Sequence, residues 1–365
     1  MHSIAYAHKI YFEQLHRSKY GMPLWRPKNF SSEVEIGDVG FYHDGGFYSI
    51  FNVTRPVDDP TQKYGCPGCE DYQPFQPQDL VTPDELSAGT TFHSKNVVRV
   101  KYDAQGGVPT ANGGFSFSYK GGKGVILVLP DSATKKEVQN TLHVESYMRQ
   151  HHEAWHKFAR EEYGRNLERE ELVLVRGWVK TTRWAVTIFD ESDPSGTLNF
   201  NVGLPTASDS LELSTSHDHP YVQRIGPKRV SQTTAAGSTS QPSIPAVPKA
   251  DQTVFLLYYK MKSRAAAEPR DRPGSPNDPN LIEIESVPAP IRIHDPVEDI
   301  LDYILRNSNA DVAIANDDDA ATLYTELGIE SPEDFSRTLQ NTLLSIEVDD
   351  GTGLGRLALR PDLPY

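Results

Sequence analysis

The chain has only two cysteines in 365 residues, Cys66 and Cys69, three positions apart. One such pair cannot make the disulfide framework of a small secreted fold, so a reducing intracellular compartment, cytoplasmic or nuclear, is expected. Long apolar runs are also missing. No stretch approaches the roughly 18 apolar residues of a membrane-spanning helix. The opening "MHSIAYAHKIYFEQLHRSKYG" interrupts its apolar residues with His8, Lys9, Glu13 and His16, unlike a secretory signal. A third absence is any linear cluster of Lys and Arg, which a phosphate-binding surface needs. Neither nucleic acid nor a membrane is therefore expected as a partner.

Negative charge is plentiful but uneven. The formal net charge is −14, and residues 295–350 hold 15 Asp/Glu against 2 Arg/Lys, leaving the rest close to neutral. Gly (26) and Pro (27) are frequent enough to commit much of the chain to turns, loops and linkers. The division that follows is a β-rich α+β body over 1–262, a Pro-rich linker over 263–290 and an acidic lobe over 291–365. Within the body, the proline-punctuated stretch 54–90 reads as a long loop. The Ser/Thr/Pro/Ala-rich stretch 203–250 reads as a mobile insertion, too poor in apolar surface to offset the entropy of ordering it.

Periodicity supplies the elements. A first helix is predicted from Ser3 to Tyr20, stopped by Gly21 and Pro23. In "VEIGDVGFYHDGGFYSIFNV" apolar residues flank Asp44-Gly45, a pair suited to the positive φ angles of a tight hairpin turn. "GGFSFSYKGGKGVILVLP" predicts a second hairpin about its glycines, and "ELVLVRGW" with "RWAVTIFD" a third about Lys180 and Thr181. "TLNFNV" and "QTVFLLYYKMK" add further strands. A long helix is predicted from a Thr134/Glu137 capping box to Gly164, burying Val144, Met148, Trp155 and Phe158 on one stripe. In the acidic part, Asp295 as N-cap with Pro296 opens a helix, and a short strand and two further helical stretches follow. The expected fold is α+β: a mainly antiparallel β core built from hairpins, one long packed helix, and a small acidic, mostly helical C-terminal lobe.

Within the long helix, His152-Glu153-Ala154-Trp155-His156 spells H-E-x-x-H. Two imidazoles four residues apart share a helix face and can share a zinc ion, with Glu153 as base. The surroundings argue against it. No third His follows at the required spacing, Glu170 and Glu171 lie beyond Gly164, and Lys157 places a cation beside the second His. The competing reading is a packed helix with His152 and His156 on a solvated margin. Cys66-Pro67-Gly68-Cys69 has the spacing of half a tetrahedral zinc site, for which His217 and His219 of "SHDHPY" are the natural complement. Two thiols in a tight turn explain the same residues. "NDDDA" at 316–320 lacks the glycine and spacing of a calcium loop and suits a helix start. "KGGKG" and "DDGTGLGR" lack the spacing of phosphate loops, and no G-x-S-x-G elbow occurs.

The segments "KYGMPLWRP", "IGDVGFYHDGGFYSIFNV", "GVILVLP", "HHEAWHKFAREEYGR", "WAVTIFD", "TVFLLYYKMK" and "DPVEDILDYILRNSNADVAIANDDD" together resemble an uncharacterised family of proteins from mushroom-forming (basidiomycete) fungi. The resemblance implies a fold-level grouping and a fungal source, with no established activity. It also implies a helix pattern like H-A-E-S-W-Y, which Glu153 and Trp155 match and His156 does not, and no C-P-G-C. The reading that follows is a non-catalytic intracellular protein-interaction protein, without cofactor, whose acidic C-terminal lobe meets a basic protein partner. The alternatives are a zinc-dependent hydrolase built on His152, Glu153 and His156, and a zinc-stabilised binding module built on Cys66 and Cys69.

Overall fold

The computed structural model describes residues 6–28, 33–67, 72–77, 84–100, 114–139, 141–189, 196–202, 211–215, 221–227, 249–264, 293–329 and 332–359. The chain opens with α1 (Ala7–Leu15), shorter than predicted because the chain turns at His16. Gly21 follows with φ +86°, and a Cβ there would lie 2.3 Å from the Leu256 carbonyl oxygen. Only glycine lets this turn pass so close to a strand. After the short β1 (Met22–Pro23), β2 (Asp38–His43) and β3 (Gly46–Asn52) form the predicted hairpin, with φ +52° at Asp44 and +80° at Gly45.

The stretch read as a long loop carries β4 (Asp84–Leu86) and then leads to β5 (Thr90–His93). It is also pinned: Phe75 is buried, and the Tyr72 hydroxyl lies within hydrogen-bonding reach of the Val53 and Arg55 carbonyls. The next strands are β6 (Val97–Val100), β7 (Gly114–Tyr119), β8 (Gly124–Leu129) and β9 (Ala133–Glu137). The helix predicted from Thr134 starts later, as α2 (Thr141–Glu161). Thr134 and Glu137 belong instead to β9, whose backbone is satisfied by β10 (Val173–Thr181) across the sheet, so tertiary pairing overrides the local capping pattern.

β11 (Trp184–Phe189) follows, then β12 (Gly196–Val202), β13 (Leu211–Thr215) and β14 (Tyr221–Gly226). The last two fall inside the stretch expected as a mobile insertion; the rest of it, apart from residues at its ends, lies outside the described residues. β15 (Gln252–Ser263) ends the predicted body. Beyond the expected linker, which lies almost wholly outside the described residues, come α3 (Pro296–Asn307), β16 (Val312–Asn316), α4 (Asp317–Glu326), α5 (Pro332–Gln340), β17 (Ile346–Asp349) and β18 (Leu354–Leu357). The fold is α+β with antiparallel pairing dominant; β16 and β18 pair in parallel.

A ten-stranded sheet runs β17-β18-β16-β15-β10-β2-β3, with β1, β9 and β4 branching from it. One face carries α3, α4 and α5 over Val173, Val175, Leu256 and Tyr258. The other carries α2 through Val144, Met148, Trp155 and Phe158, packed on Leu174, Tyr259 and Ile314. β15 is buried on both sides, which explains its nearly continuous apolar sequence. The acidic segment expected as a separate lobe thus extends the central sheet, with β16 pairing β15 from Asn316↔Tyr259 to Val312↔Ser263.

Two four-stranded sheets, β14-β11-β8-β5 and β13-β12-β7-β6, have matching strand orders. Each strand of one sheet leads along the chain into the corresponding strand of the other. Ile126, Val128, Ala185 and Phe189 of the first pack against Val97 and Phe117 of the second. The first sheet's opposite face packs on α1 and β15. Two predicted hairpins therefore do not form: β7 and β8 lie in different sheets, as do β10 and β11. The glycines at 121 and 122 and the turn after Thr181 are corners between sheets, and β8, β10 and β11, which they join, are buried along nearly their whole length.

Candidate functional site

The H-E-x-x-H residues lie within α2, on a helix packed against the central sheet. His152 is 2% exposed and His156 9% exposed, so both lie inside the packed face and not on a solvated margin. The His156 Nε2 sits 2.9 Å from the Leu167 carbonyl oxygen, while neither ring nitrogen of His152 has a hydrogen-bond partner among the described residues. Burial pushes the His152 imidazole down to about 4, with the nearby His156 and the Arg169 charge adding to it and a weak approach to the Arg169 backbone opposing it. Glu153 is exposed and meets Arg169 at 3.1 Å.

Cys66 is buried beside Phe75 in the core under α2. Cys69, His217 and His219 lie outside the described residues. Among the described residues no group of three or more His, Cys, Asp or Glu is arranged to hold a metal ion. "NDDDA" is a helix start: the Asn316 side chain accepts from the Asp318 and Asp319 amides, and the Asp319 carboxylate accepts from the Asn316 amide.

The charges that matter were not singled out by motif. Arg176 is the extra residue of a bulge in β10, where Val175 pairs with Tyr258 and Gly177 with Leu257. Its guanidinium donates to Asp317 through Nε (3.0 Å) and Nη2 (3.1 Å), to Glu137 through Nη1 (2.9 Å), and to Asp318. Asp317 also accepts from the Tyr258 amide at 2.7 Å, filling the gap on the edge of β15 between β1 and β16. Burial pushes the Asp317 carboxyl upward, and the Arg176 guanidinium beside it pulls in the opposite direction. Two residues along β15, Lys260 meets Asp295 at 2.8 Å and Glu298 at 2.7 Å, and the Tyr258 hydroxyl donates to Asp295 at 2.7 Å. Burial works to lower Lys260, but the two carboxylates outweigh it and hold the ammonium charged. Lys262 bridges Glu170 and Asp302. Five of the segment's fifteen acids, Asp295, Glu298, Asp302, Asp317 and Asp318, therefore seat it against cations of β10 and β15.

A cavity of about 270 Å³ opens where this seam meets α1 and the β2–β3 turn. Phe12, Met22, Val173 and Ile293 give it an apolar floor. Asp44, Glu171, Asp295 and Glu298 supply carboxylates around it; Lys260 is the one Lys or Arg among its described lining residues, and Arg26 reaches Asp44 at 3.4 Å. The Tyr42 hydroxyl is buried beside it with no hydrogen-bond partner among the described residues. His8 lies in the wall, and burial keeps its imidazole below the usual value against the pull of Asp44. In this lining Lys260 is committed to two carboxylates, and Asp295 also caps α3 through the Val297 amide. The arrangement suits a ligand with an apolar stem and a cationic, hydrogen-bonding head.

The sequence carried a signal for this seam. Arg176 stands in the apolar run "VLVRGWVK" beside a glycine, and Lys260 in "LLYYKMK"; a charge in a doubly buried strand must find a partner. The signal names the charge but not the partner, which lies 141 residues away for Arg176.

No helix among the described residues is long and apolar enough to cross a membrane. No family model matches the chain, and no curated protein matches it. Among solved structures the chain is similar to the "Cryo-EM structure of the Gasdermin A3 membrane pore", at 11% identity over 67% of this chain and 83% of that one, with a TM-score of 0.23. A likeness at that score assigns neither family nor activity to this chain.

Proposed function

We propose that this is a non-catalytic, intracellular interaction protein that receives a basic side chain of a partner protein in the acid-rimmed cleft between α1 and the N-terminus of α3. The single observation that supports this is the lining, which among the described residues joins an apolar surface to four carboxylates and holds one Lys or Arg, the committed Lys260. A lysine or arginine side chain has the matching chemistry, an aliphatic stem with a donor-rich head. The basic partner expected for the acidic segment is retained in this reading, with contact narrowed to the start of that segment at Asp295 and Glu298. A fungal family membership, resting on the sequence motifs alone, goes with the same reading.

The test uses the full chain, because the acidic segment shares its core with the body. A fluorescent peptide alternating Arg or Lys with Leu is titrated with the protein and followed by anisotropy at low and high salt. Binding should weaken with salt. Asp44→Asn and Glu298→Gln should each weaken it several-fold, and Glu161→Gln on the far helix should not. Equal binding by all variants, or none at low salt, would reject the cleft as the contact.

A further inference from the structure

We propose that a second cavity, at the corner between the two four-stranded sheets, binds an anion bearing a phosphate group. This cavity, of about 530 Å³, is lined by Arg17 and Ser18 just beyond the C-terminal end of α1, by His93 of β5, and by Lys95, Asn96 and Lys123 of the two corner turns. Among the described residues its lining contains no Asp or Glu, although the chain carries a net charge of −14. A concave surface of one sign in a protein of the opposite sign concentrates the counter-charged ligand, and low-dielectric walls strengthen the field inside it.

The corner is also a rigid frame. Asn96 Nδ2 donates to the carbonyl oxygens of Gly121 (2.6 Å) and Lys123 (3.3 Å), tying the β5–β6 corner to the β7–β8 corner. Ser94 locks the same two segments by accepting from the Val125 amide at 2.7 Å. Gly121 and Gly122 take positive φ angles of 49° and 82°, which lets the chain turn tightly and deliver Lys123 to the cavity edge. Phe92 adds a half-buried aromatic face. The "KGGKG" turn thus serves an anion without P-loop spacing: its lysine joins cations from two other segments. This cavity is separate from the acid-rimmed cleft and does not depend on the reading of that cleft.

Inorganic pyrophosphate, titrated into the full chain by calorimetry at low ionic strength, tests the proposal, with chloride at matched ionic strength as control. Saturable binding that weakens with added salt is expected. Lys123→Ala and Lys95→Ala should each weaken it about tenfold, the loss of one charge-assisted contact. Lys157→Ala, an exposed cation on α2, should leave it unchanged, and thermal midpoints check that the variants fold. Flotation with phosphatidylcholine vesicles, with and without phosphatidic acid, separates the sources of the phosphate. Retention by the acidic vesicles that Lys123→Ala abolishes assigns a lipid headgroup; pyrophosphate binding without retention assigns a free ligand. No saturable binding to either, or binding indifferent to Lys95 and Lys123, overturns the proposal.

Discussion

Replacing His152 with leucine separates a packed helix from a metal helix by the sign of the stability change. His152 is 2% exposed, and among the described residues neither ring nitrogen makes a hydrogen bond of good geometry, its approach to the Arg169 backbone being a weak one. A buried polar group left without a partner costs about 1–3 kcal/mol, while a leucine of similar volume restores apolar contact at a packing cost of about 1 kcal/mol. His152→Leu is therefore expected to stabilise the chain by about 1 kcal/mol at neutral pH. The pH dependence sharpens the test. The folded-state pKa is depressed from 6.5 to about 4, so this group's contribution is fully present above 6.5 and is lost as the pH falls toward 4. Linkage makes that loss roughly 2 kcal/mol between about pH 7.5 and about pH 5, because the unfolded imidazole protonates first. The leucine variant lacks this term, so its advantage should grow to about 3 kcal/mol at about pH 5. Urea unfolding followed by tryptophan fluorescence is a suitable assay, since the Trp155 ring lies 6.3 Å from His152. A variant less stable than the parent at neutral pH, with a parallel pH profile, would refute this reasoning. It would mean that the ring has a partner worth more than its burial costs.

Arg176→Met should destabilise by about 3–5 kcal/mol, since it leaves Asp317 buried and uncompensated; adding Asp317→Asn should recover part of the loss, both read by urea unfolding. Gly45→Ala should cost about 2 kcal/mol or more, because φ is +80° and a Cβ there would lie 2.6 Å from the Trp25 Cβ. A thermal midpoint within a degree or so of the parent would contradict that. Glu153→Gln should change stability by less than about 0.5 kcal/mol, its partner Arg169 being a half-exposed surface contact. A large change in its melting curve would show that the outward carboxylate does more than the structure suggests.

The elements with strong local signals were legible from the chain alone. Asp44-Gly45 specified its hairpin because few other pairs accept two positive φ angles in succession. Asp295-Pro296 specified the start of α3, and Asn316 with Asp319 the start of α4, because capping is a contact between residues two or three apart. The stripe Val144, Met148, Trp155 and Phe158 specified the buried face of α2. Where prediction failed, a long-range pairing outweighed a local pattern. Thr134 and Glu137 look like a helix cap, but the backbone around them completes a sheet. The glycines at 121 and 122 look like a hairpin turn and instead carry the chain from one sheet to the next. His152 and His156 sit beside an apolar stripe in sequence, and only the packing of α2 over β15 and β3 decides that they are inside. Charge shows the division most plainly. The sequence determined that residues 295–350 are acidic and that Arg176 and Lys260 sit in apolar strands. Only the tertiary structure decided that those cations seat that acidic segment, and that Arg17, Lys95 and Lys123 meet around one cavity. Composition is fixed residue by residue, whereas the field at a site depends on which distant segments the fold brings within a few ångströms of each other.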